Sequence, residues 1–231
     1  MKRLLSVLLI VAITANVYAD DNTSTSSKND NSASFFIAMS ATYNMLNAKT
    51  TVEKQTDNTD MHGITFGPMF HLPFSDHFVS FFGVQYQLGI AKTEKYGIKT
   101  TGYEHDIKVP FKLGYSTDFG KNNTFSIFAG PSFLFCVSEK AEIKYGSYTN
   151  EYDYISGKYK VYKNGSYKEG QSDDYKTMNV FDLQLGLGAL LRFGGFGLRL
   201  EYDWGVLNRY KESADATSHV GQLTAGLFVA F

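Results

Sequence analysis

Residues 181–205 read FDLQLGLGALLRFGGFGLRLEYDWG, and this stretch decides the fold class. On each side of Gly194 and Gly195, bulky apolar residues occupy every second position, and mostly Gly, Gln, Asp, Glu or Arg lie between them. A period of two is typical of a β-strand whose two faces meet different surroundings, and a two-residue link containing Gly is typical of a tight hairpin. The stretch therefore predicts two antiparallel strands joined by a short turn.

The same alternation recurs along the chain in eight segments. They span residues 35–45, 63–74, 78–90, 107–115, 125–136, 181–193, 196–205 and 222–231. Their length of about ten residues, up to thirteen, is close to the ~9–11 residues with which a tilted β-strand crosses a bilayer.

The two faces of these segments differ in a way that separates a membrane barrel from a water-soluble sandwich. The apolar face carries no Lys, Arg, Asp or Glu, whereas the opposite face carries Gly, Ser, Thr and Gln with a few charges. A lipid-facing Lys or Arg near the midplane costs roughly 2–4 kcal/mol, so hydrocarbon keeps one face free of charge. The pattern predicts an all-β fold, namely a transmembrane antiparallel up-and-down β-barrel of eight strands.

The links between the segments alternate in length. The long links are residues 47–61, 91–104, 137–178 and 208–218, and the short links are residues 75–77, 116–124 and 194–195. Long loops on one side and tight turns on the other are typical of outer-membrane barrels, in which the short side is periplasmic.

The outward residues at the short-turn end predict an aromatic girdle. One aromatic residue per strand falls there: Phe35, Phe74, Phe78, Tyr115, Phe125, Phe193, Phe196 and Phe231. Aromatic side chains are enriched where a barrel meets the membrane surface.

The N-terminus has the three parts of a secretory signal peptide. Lys2 and Arg3 precede an apolar run of twelve residues, and a small-residue cleavage site ends at Ala19. Twelve apolar residues are too few to span a bilayer as a helix. We expect a signal peptide at 1–19, a disordered polar leader at 20–34, and an outer-membrane β-barrel of a Gram-negative bacterium at 35–231.

Charge and cysteine content exclude several function classes. The 22 Lys and Arg residues against 23 Asp and Glu give no excess of cations for a phosphate backbone, so we expect no nucleic-acid partner. Cys136 is the single cysteine, which excludes an internal disulfide and a cysteine-cluster metal site. We expect no cofactor.

Short motifs in the strands carry a family resemblance. They are IKVPF at 107–111, GPSF at 130–133, FD at 181–182 followed by Gly186 and Gly188, and RLEY at 199–202 with GVLN at 205–208. They resemble the porin-type outer-membrane β-barrel domain family, which includes PorT-like proteins and small barrels of the OmpX and OmpA type. The terminal Phe231, with Leu227 and Val229 on its face, resembles the signature that the barrel-assembly machinery reads. The resemblance covers most of residues 35–231 and implies an eight-stranded barrel without catalytic residues.

Inward-facing charges predict a plugged lumen, because eight strands enclose a space that side chains can fill. The inward set contains Lys108, Lys112, Asp182, Arg192, Arg199, Glu201 and Asp203. Pairing across the Gly194-Gly195 turn places Gly186 opposite Asp203 and Gly188 opposite Glu201, which leaves room for charged chains to cross the lumen. We predict a buried ion-pair network, with a proton or ion path as the alternative.

The third long loop, residues 138–178, holds eight of the 16 Tyr. Asn164-Gly165 between two short alternating runs predicts a hairpin that projects beyond the membrane. Tyrosine supplies large contact area at low entropy cost, so the binding candidates are Tyr152, Tyr154, Tyr159, Tyr162 and Tyr167. The alternatives are a solvated loop whose tyrosines brace it or meet lipopolysaccharide headgroups, and an extra spanning hairpin that makes ten strands.

Three histidines fall near the outer strand ends, namely His62, His105 and His219, with carboxylates close by in sequence. A His beside a carboxylate is a competent general base. However, the sequence has no nucleophile at the spacing of a recognisable catalytic motif.

We therefore predict a non-enzymatic structural or interaction barrel whose extracellular loops, especially 138–178, bind a partner. An outer-membrane hydrolase or acyl-transfer enzyme at the outer rim and a narrow channel are the alternatives. The expected partners are outer-membrane lipid and lipopolysaccharide, the barrel-assembly machinery through Phe231, and an extracellular protein or surface ligand.

Overall fold

The computed structural model describes residues 33, 35–52, 54–119, 123–211 and 216–231. Within these residues there are twelve β-strands: β1 Phe36–Val52, β2 Gln55–Pro73, β3 Phe78–Gly83, β4 Gln85–Lys95, β5 Ile98–Asp118, β6 Asn123–Tyr145, β7 Tyr148–Asp153, β8 Lys158–Lys163, β9 Ser166–Gln171, β10 Phe181–Phe193, β11 Phe196–Gly205 and β12 Ala216–Ala230. A 3₁₀ turn covers Asp173–Tyr175. No helix among the described residues is long and apolar enough to cross a membrane.

The described strands close into a ring in the order β1, β2, β3 with β4, β5, β6, β10, β11 and β12, and β12 pairs with β1. Every pairing is antiparallel, and β3 and β4 are two parts of one barrel strand, because both pair with β2 and β5. The interruption lies beside Pro68, which accepts from the Val84 N–H at 3.3 Å but has no N–H to donate in return. The prediction of an all-β, eight-stranded antiparallel barrel is confirmed.

Side chains alternate between the lumen and the outer surface, as β11 illustrates. Phe196, Leu198 and Leu200 are each more than half exposed, whereas Arg199 and Glu201, at the alternate positions, are buried. An apolar belt of this kind is stable where hydrocarbon covers it.

Strand pairing continues well beyond the apolar belt at the end opposite the short turns. β1 and β2 pair as far as Val52 and Gln55, and β4 and β5 pair as far as Lys95 and Ile98. The long links predicted at 47–61 and 91–104 are thus mostly strand. Their sequences lack an apolar face because both faces of the sheet meet a polar environment there. The strands still form, because backbone hydrogen bonds between them do not depend on apolar side chains.

The predicted signal peptide, residues 1–19, and residues 20–32 and 34 of the predicted leader lie outside the described residues. Ala33 is buried, and its N–H donates to the Asp76 carbonyl at 2.5 Å.

Candidate functional site

The lumen near the short turns is filled by apolar side chains. This layer contains Ala33, Phe36, Ala38, Met69, Val79, Phe81, Phe128, Leu190 and Phe228. The ring centroids of Phe81 and Phe128 are 4.8 Å apart, and those of Phe36 and Phe228 are 6.0 Å apart. The sequence pattern missed this layer, because single Phe residues among Gly and Ser read as exceptions on a polar face.

A buried ion-pair cluster lies above the apolar layer. Asp203 accepts from Lys108 Nζ at 2.6 Å and from Lys112 Nζ at 2.7 Å. Glu201 pairs with Lys112 at 2.9 Å and with Arg199. All five side chains are at most 3% exposed. The structure thus brings together five of the seven residues predicted for the lumenal network, and we call these five the lumenal cluster.

Two glycines on β10 make room for the lumenal cluster. Gly186 pairs with Asp203 and Gly188 with Glu201, in the register that the Gly194-Gly195 turn predicts. A Cβ at Gly186 would overlap Asp203 Oδ1 and Lys112 Nζ, and a Cβ at Gly188 would lie 2.6 Å from the Phe128 ring.

The two other predicted network residues, Asp182 and Arg192, lie elsewhere. The Arg192 guanidinium is 4.5 Å from the centre of the Phe36 ring, in the apolar layer near the short turns. Asp182 lines a small enclosed space toward the outer mouth, together with Asp106 and Arg209. The correction has a geometric reason: Asp182 and Arg192 stand ten residues apart on β10, at opposite ends of the lumen.

Polar side chains continue the lumenal filling toward the outside. Gln222 Nε2 donates to Gln87 Oε1 at 2.9 Å, and Gln87 Nε2 donates to Asp106 Oδ2 at 3.2 Å. Above them, Arg209 Nη2 is 2.9 Å from Glu104 Oε1 and 3.2 Å from Glu139 Oε2. Side chains therefore occupy the lumen from the short-turn end up to the level of Arg209.

The Arg209 cluster was not predicted from the sequence. Arg209 lies in the stretch that reads as the polar link 208–218, and Glu139 lies in the predicted third loop. The backbone draws Arg209 into the mouth: its N–H donates to the Ser218 carbonyl at 2.9 Å, and its carbonyl accepts from the Asn179 N–H at 2.8 Å. A cavity of about 340 Å³ lies at the mouth, lined by residues that include Arg209, Glu139 and Tyr154.

Residues 138–178 form a projecting sheet, which we define as the outer part of β6 together with β7, β8 and β9. β8 and β9 meet at a tight turn whose residues Asn164 and Gly165 have φ of +47° and +82°, so the hairpin lies where the sequence predicts it. These strands lie outside the closed ring. The alternative of a ten-stranded barrel is therefore wrong.

The five tyrosines predicted as binding residues do not share one surface. Tyr152 and Tyr159 are half-buried and both pack on Tyr175, with ring centroids 4.9 and 5.5 Å apart. Tyr154 lines the cavity at the mouth. The remaining two, Tyr162 and Tyr167, are exposed and contact each other in a tilted arrangement, with ring centroids 5.0 Å apart.

Two exposed carboxylates in residues 138–178 have local partners. Tyr167 donates a hydrogen bond to the Glu169 carboxylate, which raises the pKa of Tyr167 to about 12. Lys176 lies 2.7 Å from Asp173 and lowers the pKa of that carboxyl below its ordinary value. Neither carboxylate is therefore an isolated charge.

The outer histidines bond to tyrosines rather than to carboxylates. His62 Nδ1 is 2.5 Å from the Tyr43 hydroxyl, and His105 Nδ1 is hydrogen-bonded to the Tyr86 hydroxyl. His219 is exposed and faces Lys49 across the β1–β12 pair. The described residues include no group of three His, Cys, Asp or Glu side chains that could hold a metal ion.

The structure places all eight residues of the predicted girdle at the short-turn end. Seven of them are exposed by 40% or more: Phe74, Phe78, Tyr115, Phe125, Phe193, Phe196 and Phe231. The eighth, Phe35, is half-buried.

Comparisons with known proteins place the chain in a family. The model of the outer membrane protein beta-barrel domain matches residues 18–210. None of the curated proteins that were compared matches the chain.

Several solved structures are similar to the chain. The Neisserial surface protein A is 13% identical, with 84% of this chain and 99% of that chain covered, at a TM-score of 0.43. Ail, the attachment invasion locus protein of Yersinia pestis, is 12% identical, with coverages of 84% and 98% and a TM-score of 0.36. The outer membrane enzyme PagL is 11% identical, with coverages of 81% and 98% and a TM-score of 0.32.

The family match spans well over half of the chain, and the ring of antiparallel strands with its apolar outer belt is the architecture that such a match implies. The chain belongs to the outer membrane protein β-barrel domain family.

Proposed function

We propose that the protein is a non-enzymatic outer-membrane barrel that binds an extracellular protein segment along the free edge of β9. The observation that carries this proposal is the order of the sheet, in which β9 is the last strand and has β8 as its neighbour among the described strands. An unpaired strand edge presents backbone N–H and C=O groups that an extended segment of another chain can pair with.

The backbone geometry defines which groups of β9 are free to pair. Lys163 and Ser166 flank the two-residue turn, so Ser166, Lys168 and Gly170 direct their backbone groups toward β8. The alternate residues Tyr167 and Glu169 direct theirs toward the open edge. A partner strand would therefore bond to Tyr167 and Glu169, with the Tyr162–Tyr167 pair as an aromatic contact beside it.

The filled lumen supports a binding role over a channel. The apolar layer and the lumenal cluster lie one above the other along the axis, so an ion would have to displace paired charges that are nearly inaccessible to solvent. We expect the purified barrel to show no stepwise conductance in a planar bilayer.

The edge is tested with Glu169→Pro in the full-length protein held in nanodiscs. Proline removes an N–H that points away from β8, so the hairpin is retained while the edge loses a donor. The matched control is Glu169→Ala, which removes the carboxylate and keeps the N–H. The wild type is incubated with secreted and cell-surface proteins, and each captured protein is tested again on both variants. Binding that survives in the alanine variant and is lost in the proline variant supports the proposal. Equal binding by all three proteins would refute it.

A further inference from the structure

Two Tyr–His pairs on the outward face of the barrel repeat the same geometry. Tyr43 on β1 is opposite Ile64 on β2, and its hydroxyl bonds to His62, two residues farther toward the outside. On the next hairpin, Tyr86 is opposite Ile107, and its hydroxyl bonds to His105, again two residues farther out.

The position of the pairs along the barrel axis places them at the outer edge of the hydrocarbon. Tyr43 stands eight residues from Phe35 of the girdle, and His62 stands twelve residues from Phe74. At ~3.3 Å per residue and a tilt of ~40°, these separations correspond to about 20 Å and about 30 Å along the axis. The apolar band of a barrel is about 25 Å tall. The tyrosine rings therefore lie near the outer margin of this band. His62 lies just beyond it, and His105, ten residues from Tyr115 of the girdle, lies about 25 Å along the axis, at its outer edge.

Each imidazole bonds to its tyrosine through Nδ1, so Nε2 is the ring nitrogen directed away from the tyrosine. Nε2 carries a proton in the neutral tautomer in which the hydroxyl donates to Nδ1, and also in the protonated imidazole. In these two states Nε2–H is a donor available to a ligand. Phe66 on β2 packs on Tyr86 of β4 with ring centroids 5.3 Å apart, so the two hairpins are in contact on this face.

The charges around the pairs on this outward face are mainly positive. Lys49 on β1 and Lys92 on β4 are exposed and lie farther out than the pairs, and His219 faces Lys49 across β12. Asp60 is exposed on β2 and accepts from Asn47 Nδ2 at 2.7 Å. Basic side chains at a membrane surface attract anionic headgroups.

We propose that His62 and His105 form a binding site for the phosphate groups of outer-leaflet lipid headgroups, with each Nε2–H donating to a phosphate oxygen. The tyrosines act as positioning residues that hold the rings, while Lys49 and Lys92 supply the balancing positive charge. This site is independent of the β9 edge, so either proposal can fail without the other.

The test uses full-length protein in a non-ionic, phosphate-free detergent. Phosphatidic acid is titrated in, and bound lipid is counted by native mass spectrometry. Diacylglycerol with the same acyl chains measures binding through the chains alone, and inorganic phosphate measures binding without them. The wild type is expected to retain phosphatidic acid at least tenfold more tightly than either comparison ligand.

Three variants locate the site, each first checked for its heat-modifiable gel shift. His62→Leu with His105→Leu is expected to lower phosphatidic acid affinity at least tenfold and to leave diacylglycerol binding unchanged. Tyr43→Phe with Tyr86→Phe is expected to give a smaller loss. His77→Leu is the matched control, because His77 stacks on Tyr115 at the opposite rim, with ring centroids 5.2 Å apart. The phosphatidic acid affinity of this variant should equal that of the wild type.

Equal phosphatidic acid binding by the wild type and the double leucine variant would overturn the proposal. So would a wild type that does not distinguish phosphatidic acid from diacylglycerol, or one that binds inorganic phosphate as tightly as the lipid.

Discussion

Replacing Asp203 by Asn should strongly destabilise the barrel, because Asp203 is bonded to two of the buried cations. The cluster contains three cations, Lys108, Lys112 and Arg199, and two anions, Glu201 and Asp203, so its formal charge is +1. Asn keeps the shape of the side chain and raises that charge to +2, leaving Lys108 without its carboxylate partner. Removing one member of a buried ion pair costs about 3–5 kcal/mol, which corresponds to roughly a 150- to 5,000-fold smaller folding equilibrium constant.

Lys108→Met provides the comparison that makes this reasoning testable. It makes the cluster neutral and leaves Asp203 bonded to Lys112, so the loss is that of one charge-assisted hydrogen bond, about 1.5–3 kcal/mol. The double variant restores the net charge of +1, and we expect it to be more stable than Asp203→Asn alone.

Urea unfolding in lipid vesicles measures these differences, with the fluorescence of Trp204, the single tryptophan, as the signal. Trp204 is half exposed on the outward face and so reports insertion into lipid. The reasoning fails if Asp203→Asn unfolds within about 1 kcal/mol of the wild type, a margin below the cost of a broken buried pair. It also fails if the two single effects simply add in the double variant.

Two further predictions concern the lumen and the mouth. Gly186→Ala should lower the free energy of unfolding by about 1–3 kcal/mol, because the added Cβ would overlap buried charged atoms. Gly195→Ala is the control: its Cβ would lie 3.6 Å from the nearest atom, so the urea midpoint should stay nearly unchanged. Similar midpoints for the two variants would contradict the packing argument. Arg209→Ala should speed amide hydrogen exchange in residues 176–180 and 206–211, because Glu104 and Glu139 would lose the cation between them. Exchange rates equal to those of the wild type would show that Arg209 does not stabilise the mouth.

Several features of the candidate sites could be predicted because they depend on local pattern. The hairpin at Gly194-Gly195 fixes the register of its strands, so the pairing of Gly186 with Asp203 follows from counting residues outward from the turn. Asn164-Gly165 likewise marks a hairpin through its own backbone preference. The two-residue period assigns each side chain to the lumen or to lipid without knowledge of its neighbours.

Other features required the folded structure. The sequence shows that Tyr43 and His62 share the outward face, but their contact depends on a diagonal across the β1–β2 register. The five loop tyrosines were grouped by their nearness in sequence, and the folded sheet distributes them over the mouth, a packed cluster with Tyr175 and an exposed pair.

The sequence by itself determined the all-β class, the two faces, the orientation of short and long links, and the set of charges that point inward. Only the tertiary structure decided which of those charges meet. Lys108 on β5 reaches Asp203 on β11 across the lumen, although β6 and β10 lie between these strands in the ring. That contact depends on the stagger with which the sheet closes on itself, and no local stretch of sequence carries the stagger.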